Sequence, residues 1–216
     1  MKTLKILTTV ASIFAASALL AQDASPASDD DRDNLRIGIK GGVNYANLYD
    51  TKGQSFAASS LWGPVFGGYL SVPIGTYLGI QPEVLYSGKG YSGQGTSIFG
   101  PYSYTDRLNF LDTPLMLQFK PIPHLYLLGG PEYSYLLSHT YTFNQGVTSS
   151  TTEQQFNNDN IRKNVFGLIF GLDIDMGHLT LGGRIAWDLQ DNNGDGTSTL
   201  PRYKNIWGQL TLGLHI

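Results

Sequence analysis

The chain contains no cysteine. Disulfides, thiolate metal sites and a lipid-modified N-terminal cysteine are therefore excluded. Charge is scarce as well: Asp, Glu, Lys and Arg make up 14% of the 216 residues, against about 25% in ordinary soluble domains. Beyond the first segment there is no apolar run near the ~20 residues that a spanning helix needs, which excludes a helical membrane protein. The formal net charge is −3, and an acidic balance argues against nucleic-acid binding.

Glycine and aromatic residues are plentiful, with 26 Gly and 13 Tyr. The N-terminus reads as a signal peptide over residues 1–21: Lys2 and Lys5 are basic, an apolar stretch follows, and Ala18-Leu19-Leu20-Ala21 offers a cleavage site. Residues 22–34, with Asp29, Asp30, Asp31 and Asp33 beside Pro26, read as a disordered periplasmic linker. The remaining length, 35–216, suits one closed domain.

Eight segments of that domain alternate apolar and polar side chains with a period of two, the signature of half-buried strands. The last, 205–216, is the clearest: Ile206, Leu210, Leu212, Leu214 and Ile216 share one face, while Gln209, Thr211 and His215 share the other. The others are 35–47, 62–72, 77–90, 106–120, 125–137, 163–175 and 179–189. Polar connections at 50–60, 91–104, 138–162 and 190–204 alternate with tight turns at 73–76, 121–123 and 176–178. This rhythm predicts an all-β fold, an eight-stranded antiparallel up-and-down transmembrane β-barrel in the outer membrane of a Gram-negative bacterium. A β-sandwich would not require all long connections at one end.

An eight-stranded barrel is just wide enough to be filled by its own side chains. Gly38, Gly42, Gly63, Gly67, Gly79, Gly130, Gly167, Gly171, Gly182 and Gly213 fall on the inward face. So do Lys40, Lys89, Lys120 and Arg184, with Glu83, Asp112, Glu132, Asp173 and Asp188. Both signs in a small bore favour a salt-bridged plug over an open pore. Tyr45, Trp62, Tyr86, Tyr133, Tyr135, Phe166 and Trp187 fall outward near the extracellular ends, where aromatic rings favour the headgroup region.

Four stretches carry a family resemblance: 37–44 (IGIKGGVN), 108–117 (LNFLDTPLML), 129–133 (GGPEY) and 166–172 (FGLIFGL). With these the chain resembles the PorT-like outer-membrane β-barrel proteins over 35–216. It departs from their pattern at Asp112-Thr113, where Glu-Ile usually precedes the proline, and at Ile216, where an aromatic residue often ends the chain. The resemblance implies a Gram-negative outer-membrane barrel. It does not carry over the secretion-system role of particular relatives.

Asp191, Asn193 and Asp195, with Gly196, match the opening of a calcium loop. Arg202 stands where the bidentate Glu should be, so the plain reading is a polar turn, and no cofactor other than this Ca2+ candidate is expected. His139 is the only histidine near the extracellular rim, beside Ser138, Ser149 and Ser150. No spacing there enforces a triad, so His139 reads as a solvated loop residue and the protein as no enzyme. Tyr141, Phe143 and Phe156 stand in the polar 138–162 stretch as aromatic anchors suited to binding. The expected partners are the outer-membrane bilayer and an extracellular or secretion-complex protein. The expected role is structural or binding, through the extracellular loops. The alternatives are a narrow channel or transport component for small solutes and, less favoured, an outer-membrane enzyme.

Overall fold

The computed structural model describes residues 31–49, 58–98, 100–145, 148–154, 161–193 and 203–216. The expected signal peptide and the linker up to residue 30 lie outside the described residues. The strands are β1 Arg36–Tyr49, β2 Ser59–Gly75, β3 Leu78–Ser97, β4 Gly100–Ile122, β5 Leu125–Gln145, β6 Thr148–Gln154, β7 Asn164–Met176, β8 Leu179–Asp188 and β9 Lys204–His215.

Each of β1 to β5 pairs antiparallel with the next. The lower half of β5 pairs with β7, β7 with β8 and β8 with β9. β9 returns to β1 in a register running from Gly38↔His215 to Tyr49↔Lys204. The ring therefore has eight strands and no free edge, the condition for a sheet surrounded by hydrocarbon, where unpaired backbone groups have no water to meet. Two glycines bring the strands close enough to seal it. A Cβ on Gly42 would sit 1.9 Å from the Leu210 carbonyl oxygen at the seam, and one on Gly130 would sit 2.2 Å from that of Leu115.

Side chains divide by parity. Ile39 and Leu117 are 67% and 65% exposed, and Leu210, Leu212 and Leu214 exceed half. An oily belt of this kind is stable against lipid, not water. The opposite face is buried and polar. Lys40, Glu83, Lys89, Asp112, Lys120, Glu132, Asp173, Arg184 and Asp188 are all inside.

The long connections differ from expectation in two places. Residues 91–104 and 138–162 read as polar connections, yet β3 and β4 run on to Ser97 and from Gly100, and β5 runs to Gln145 and pairs with β6. The outer parts of β3, β4, β5 and β6 thus form a four-stranded fin above the rim. Seven residues per strand give it a height of roughly 20 Å. Among the described residues β6 pairs on one side only. The fin was not visible as strand because it alternates tyrosine with small polar residues and glycine, in place of the aliphatic alternation that marks the belt.

At the other end, residues 31–33 make a single 3-10 turn that touches the barrel. Thr76 donates to Asp33 (3.2 Å), the Arg32 guanidinium lies 5.2 Å from the Tyr77 ring centroid, and the Lys120 ammonium donates to the Arg32 carbonyl. The end of the expected linker is held against the short-turn face.

Candidate functional site

The lumen is filled in layers. Nearest the short turns, Arg36 pairs with Asp175, donates to the Tyr126 hydroxyl and lies 4.9 Å over its ring. The next layer holds Lys40 with Glu83, and Arg184 in a two-pronged pair with Asp173 at 2.6 and 2.8 Å. Gln118 links Ser71 (2.9 Å) to Gln81, which donates to Glu83 (2.6 Å). Charges removed from water in this way are held only because each meets an opposite charge or an amide.

The third layer crosses the bore. Lys89 on β3 donates to Asp112 on β4 (3.1 Å), and to Glu132 and Ser134 on β5 (3.2 Å each). Its ammonium also lies 3.5 Å from the Trp207 ring of β9 and 4.9 Å from that of Phe110. Trp207 and Phe110 are each 1% exposed, so this layer seals the lumen with protein. Asp188 accepts from the Asn205 side chain (2.6 Å) and backbone (3.2 Å) beside it.

The mouth lies above. Asp106 on β4 and His139 on β5 make a 2.7 Å contact between Oδ1 and Nε2. This corrects the reading of His139 as a solvated loop residue, since its side chain is 11% exposed. The physical reason is a bulge. Asn109 pairs with Ser138 but Phe110 with Leu136, so one extra residue on β5 switches its parity and turns His139 inward. Nδ1 of His139 has no hydrogen-bond partner among the described residues. Ser138 is occupied in accepting from Asn109 (3.0 Å). Among the described residues no hydrogen bond joins the imidazole to a serine or threonine hydroxyl, so these residues do not assemble a triad.

The same parity switch places Tyr141 and Phe143 on the inner face of the fin. There Tyr104 stacks on Tyr141 (6.3 Å, 24°) and Tyr102 on Phe143 (5.9 Å, 25°). Tyr104 lies over Gly93 and Tyr102 over Gly95: an added Cβ would meet the rings at 2.3 and 2.5 Å. The rings rest flat on the sheet, one face covering glycine and the other turned away from it. At the foot, Tyr91 meets Tyr203 edge-on at 5.4 Å. Burial pushes both these hydroxyls well above the ordinary tyrosine range; Asp106 adds to the rise in each, and Tyr203 adds to that of Tyr91.

Sequence reasoning picked out Tyr141 and Phe143 but missed Tyr102, Tyr104, Asp106, Asp175 and the inward Arg36–Asp175 pair. The two-residue spacing of Tyr102 and Tyr104, echoed by Gly93 and Gly95, was the available signal. Of the calcium candidates, Asp195 and the Arg202 position lie outside the described residues. Asn193 makes a bridge with Ile161, and the Asp191 carbonyl accepts from Arg162 (3.0 Å). No cluster of three potential metal ligands occurs among the described residues. Phe156 also lies outside them.

A closed antiparallel ring with an oily exterior, a charged and filled interior and a wet fin defines a transmembrane β-barrel. The chain belongs to the outer membrane protein beta-barrel domain family, whose model matches residues 20–193, and its place is the outer membrane of a Gram-negative bacterium. A comparison with curated proteins finds no match. Similar solved structures include Neisserial surface protein A, NspA (9% identity over 82% of this chain and 96% of that one, TM-score 0.47). Another is Ail, the attachment invasion locus protein of Yersinia pestis, in complex with the heparin analogue sucrose octasulfate (9%, 85% and 99%, 0.47). A third is OprG from Pseudomonas aeruginosa (14%, 84% and 95%, 0.40).

Proposed function

We propose that this barrel is a binding protein whose working surface is the extracellular fin, and that the plugged lumen serves as its support. The observation that carries this reading is the inner face of the fin. Tyr102, Tyr104, Tyr141 and Phe143 form two stacked ring pairs on adjacent strands, and flat aromatic rings lose little entropy when a partner covers them. Ser, Thr, Asn and Gln surround them, able to fix a partner by hydrogen bonds. Within the family, the PorT-like proteins are the subgroup we favour, on the four sequence stretches named above.

The test removes the fin and spares the ring. Residues 92–105 and 140–153, which include both ring pairs, are each replaced by Asn-Gly, a two-residue hairpin turn that joins the paired Tyr91 and Asp106 and the paired His139 and Gln154. The expected outcome is a barrel that still inserts and resists denaturation in detergent, while capture of extracellular partners from native membranes is lost. Unchanged capture by the finless barrel would refute the reading.

A second reading, a narrow path for small solutes, is favoured by polar atoms in the lumen. Trp207 Nε1, Gln209 Oε1 and Asn205 Oδ1 are buried without a hydrogen-bond partner among the described residues, as they would be if water threaded past them. Discrete conductance steps in planar bilayers would support it. The calcium expectation at Asp191, Asn193 and Asp195 is tested separately, by whether a chelator lowers the unfolding midpoint.

A further inference from the structure

The four rings on the inner face of the fin make one tile. Tyr104 and Tyr102 rest on Gly93 and Gly95, so the sheet itself holds them flat. Tyr141 and Phe143 lie beside them, inclined by only 24° and 25° at centroid separations of 6.3 and 5.9 Å. Pairs at these separations are offset, and most of each ring's face is left uncovered by its neighbour. Tyr141 is 36% exposed. Along each strand the rings recur every second residue, about 6.8 Å apart, which makes the tile roughly 12 Å by 13 Å.

The rim of the tile is polar and neutral. Three of the rings end in phenol hydroxyls. Gln145 stands opposite Tyr102 in the register of β4 and β5, and the exposed Ser150 stands opposite Phe143 in that of β5 and β6. Among the described residues, no charged side chain shares this face above Asp106 and His139.

We infer that the tile is a carbohydrate site, and that its ligand is a neutral, β-linked oligosaccharide of the gluco configuration. The inference rests on the reading of the fin as the binding surface and names the chemistry of that surface. An aromatic face is the negative pole of the ring quadrupole. A pyranose with all its hydroxyls equatorial carries them round its edge and presents only C–H groups, weakly positive, on its two faces. The C–H face therefore meets the rings, and the edge hydroxyls meet the phenols, Gln145 and Ser150. β links keep successive sugars in one flat ribbon that a plane can follow, whereas α links curl the chain away from it. Nucleobases also stack on rings, but their phosphates need cations, and the charge at the foot of this face is the Asp106 carboxylate. A protein partner buries about 800 Å² of each side in a stable contact, while the tile offers only roughly 150 Å².

Titration calorimetry of the intact protein tests this, in a detergent without a sugar headgroup, with the β-linked cellohexaose and the α-linked maltohexaose as the two probes. Wild-type protein is expected to bind cellohexaose with a dissociation constant below about 1 mM, and maltohexaose at least about tenfold more weakly. Tyr102→Ala with Phe143→Ala removes one ring pair and is expected to weaken cellohexaose by at least about tenfold, the effect of losing a central aromatic anchor. Folding of the variant is checked by its heat-dependent gel mobility. Should it not fold, the contrast between the two sugars in the wild type decides alone. Failure of the wild type to bind cellohexaose, equal binding of both sugars, or unchanged binding by the folded variant overturns the proposal. The wider reading of the fin falls on a different result, unchanged capture of partners by the finless barrel.

Discussion

Lys89 sits under opposing demands. Burial takes its ammonium out of water, and Asp112, Glu132 and Ser134 replace that water with three hydrogen bonds. Lys89→Met removes the donor and leaves the carboxylates facing one another. Breaking a buried pair from one side costs about 3–5 kcal/mol, so the urea midpoint in micelles is expected to fall accordingly. Adding Asp112→Asn and Glu132→Gln is expected to recover most of that loss, because amides need no counter-ion. A wild-type midpoint for Lys89→Met would mean that the layer does not stabilise the barrel. Tyr91 and Tyr203 give a second prediction at this scale, outside the belt. Their hydroxyls are held protonated in the folded state by burial, whereas an unfolded chain ionises near pH 10. Above that pH the unfolded state binds fewer protons than the folded one, so stability falls as pH rises above about 10. Tyrosinate absorbance should show these two hydroxyls ionising only as the barrel unfolds. Their release while the fold is intact would contradict the burial at the mouth.

Among the elements, glycines separate by what lies beyond them. At Gly42 a methyl would strike the Leu210 carbonyl at the β1–β9 seam, and backbone cannot swing aside as a side chain can. Gly42→Ala is expected to prevent ring closure, read as loss of the heat-modifiable folded band. Gly183→Ala enters open space and is expected to stay within about 0.5 kcal/mol of wild type. Equal yields of the two variants would refute the seam argument. The ring itself was legible in the chain because each belt strand has one face in lipid and one in a charged bore, so parity alone sorts Leu210 from Gln209. Parity also placed Lys40, Glu83 and Arg184 inside. It could not say that these three meet, because the partner across a barrel depends on stagger and not on spacing along a strand. His139 was misread for a related reason: a single bulged residue reverses parity, and Leu136-Leu137-Ser138 gives no local mark of it. The fin was missed because Tyr102 and Tyr104 alternate with Ser103 and Thr105 beside a stretch of Gly, Ser, Thr and Gln, a weaker contrast than Leu210 against Gln209.

For the molecule as a whole, the interior carries a net sign. Among the described residues, Arg36, Lys40, Lys89, Lys120 and Arg184 are buried with Glu83, Asp106, Asp112, Glu132, Asp173, Asp175 and Asp188, five bases against seven acids. The bore is closed where Lys89 is clasped between Trp207 and Phe110, not by charge repulsion, so sealing and selectivity belong to different residues. Wild-type protein in planar bilayers is therefore expected to show no discrete conductance steps. Trp207→Ala with Phe110→Ala removes both rings from the crossing layer and leaves the ladder hydrogen bonds intact. It is expected to open a conducting path that prefers cations, because the exposed wall is then richer in carboxylate than in ammonium. Reversal potentials in a salt gradient read the preference directly. Anion preference would mean that some of the seven acids are neutral in the bore, and steps from the wild type would mean that the clasp at Lys89 opens within the intact ring.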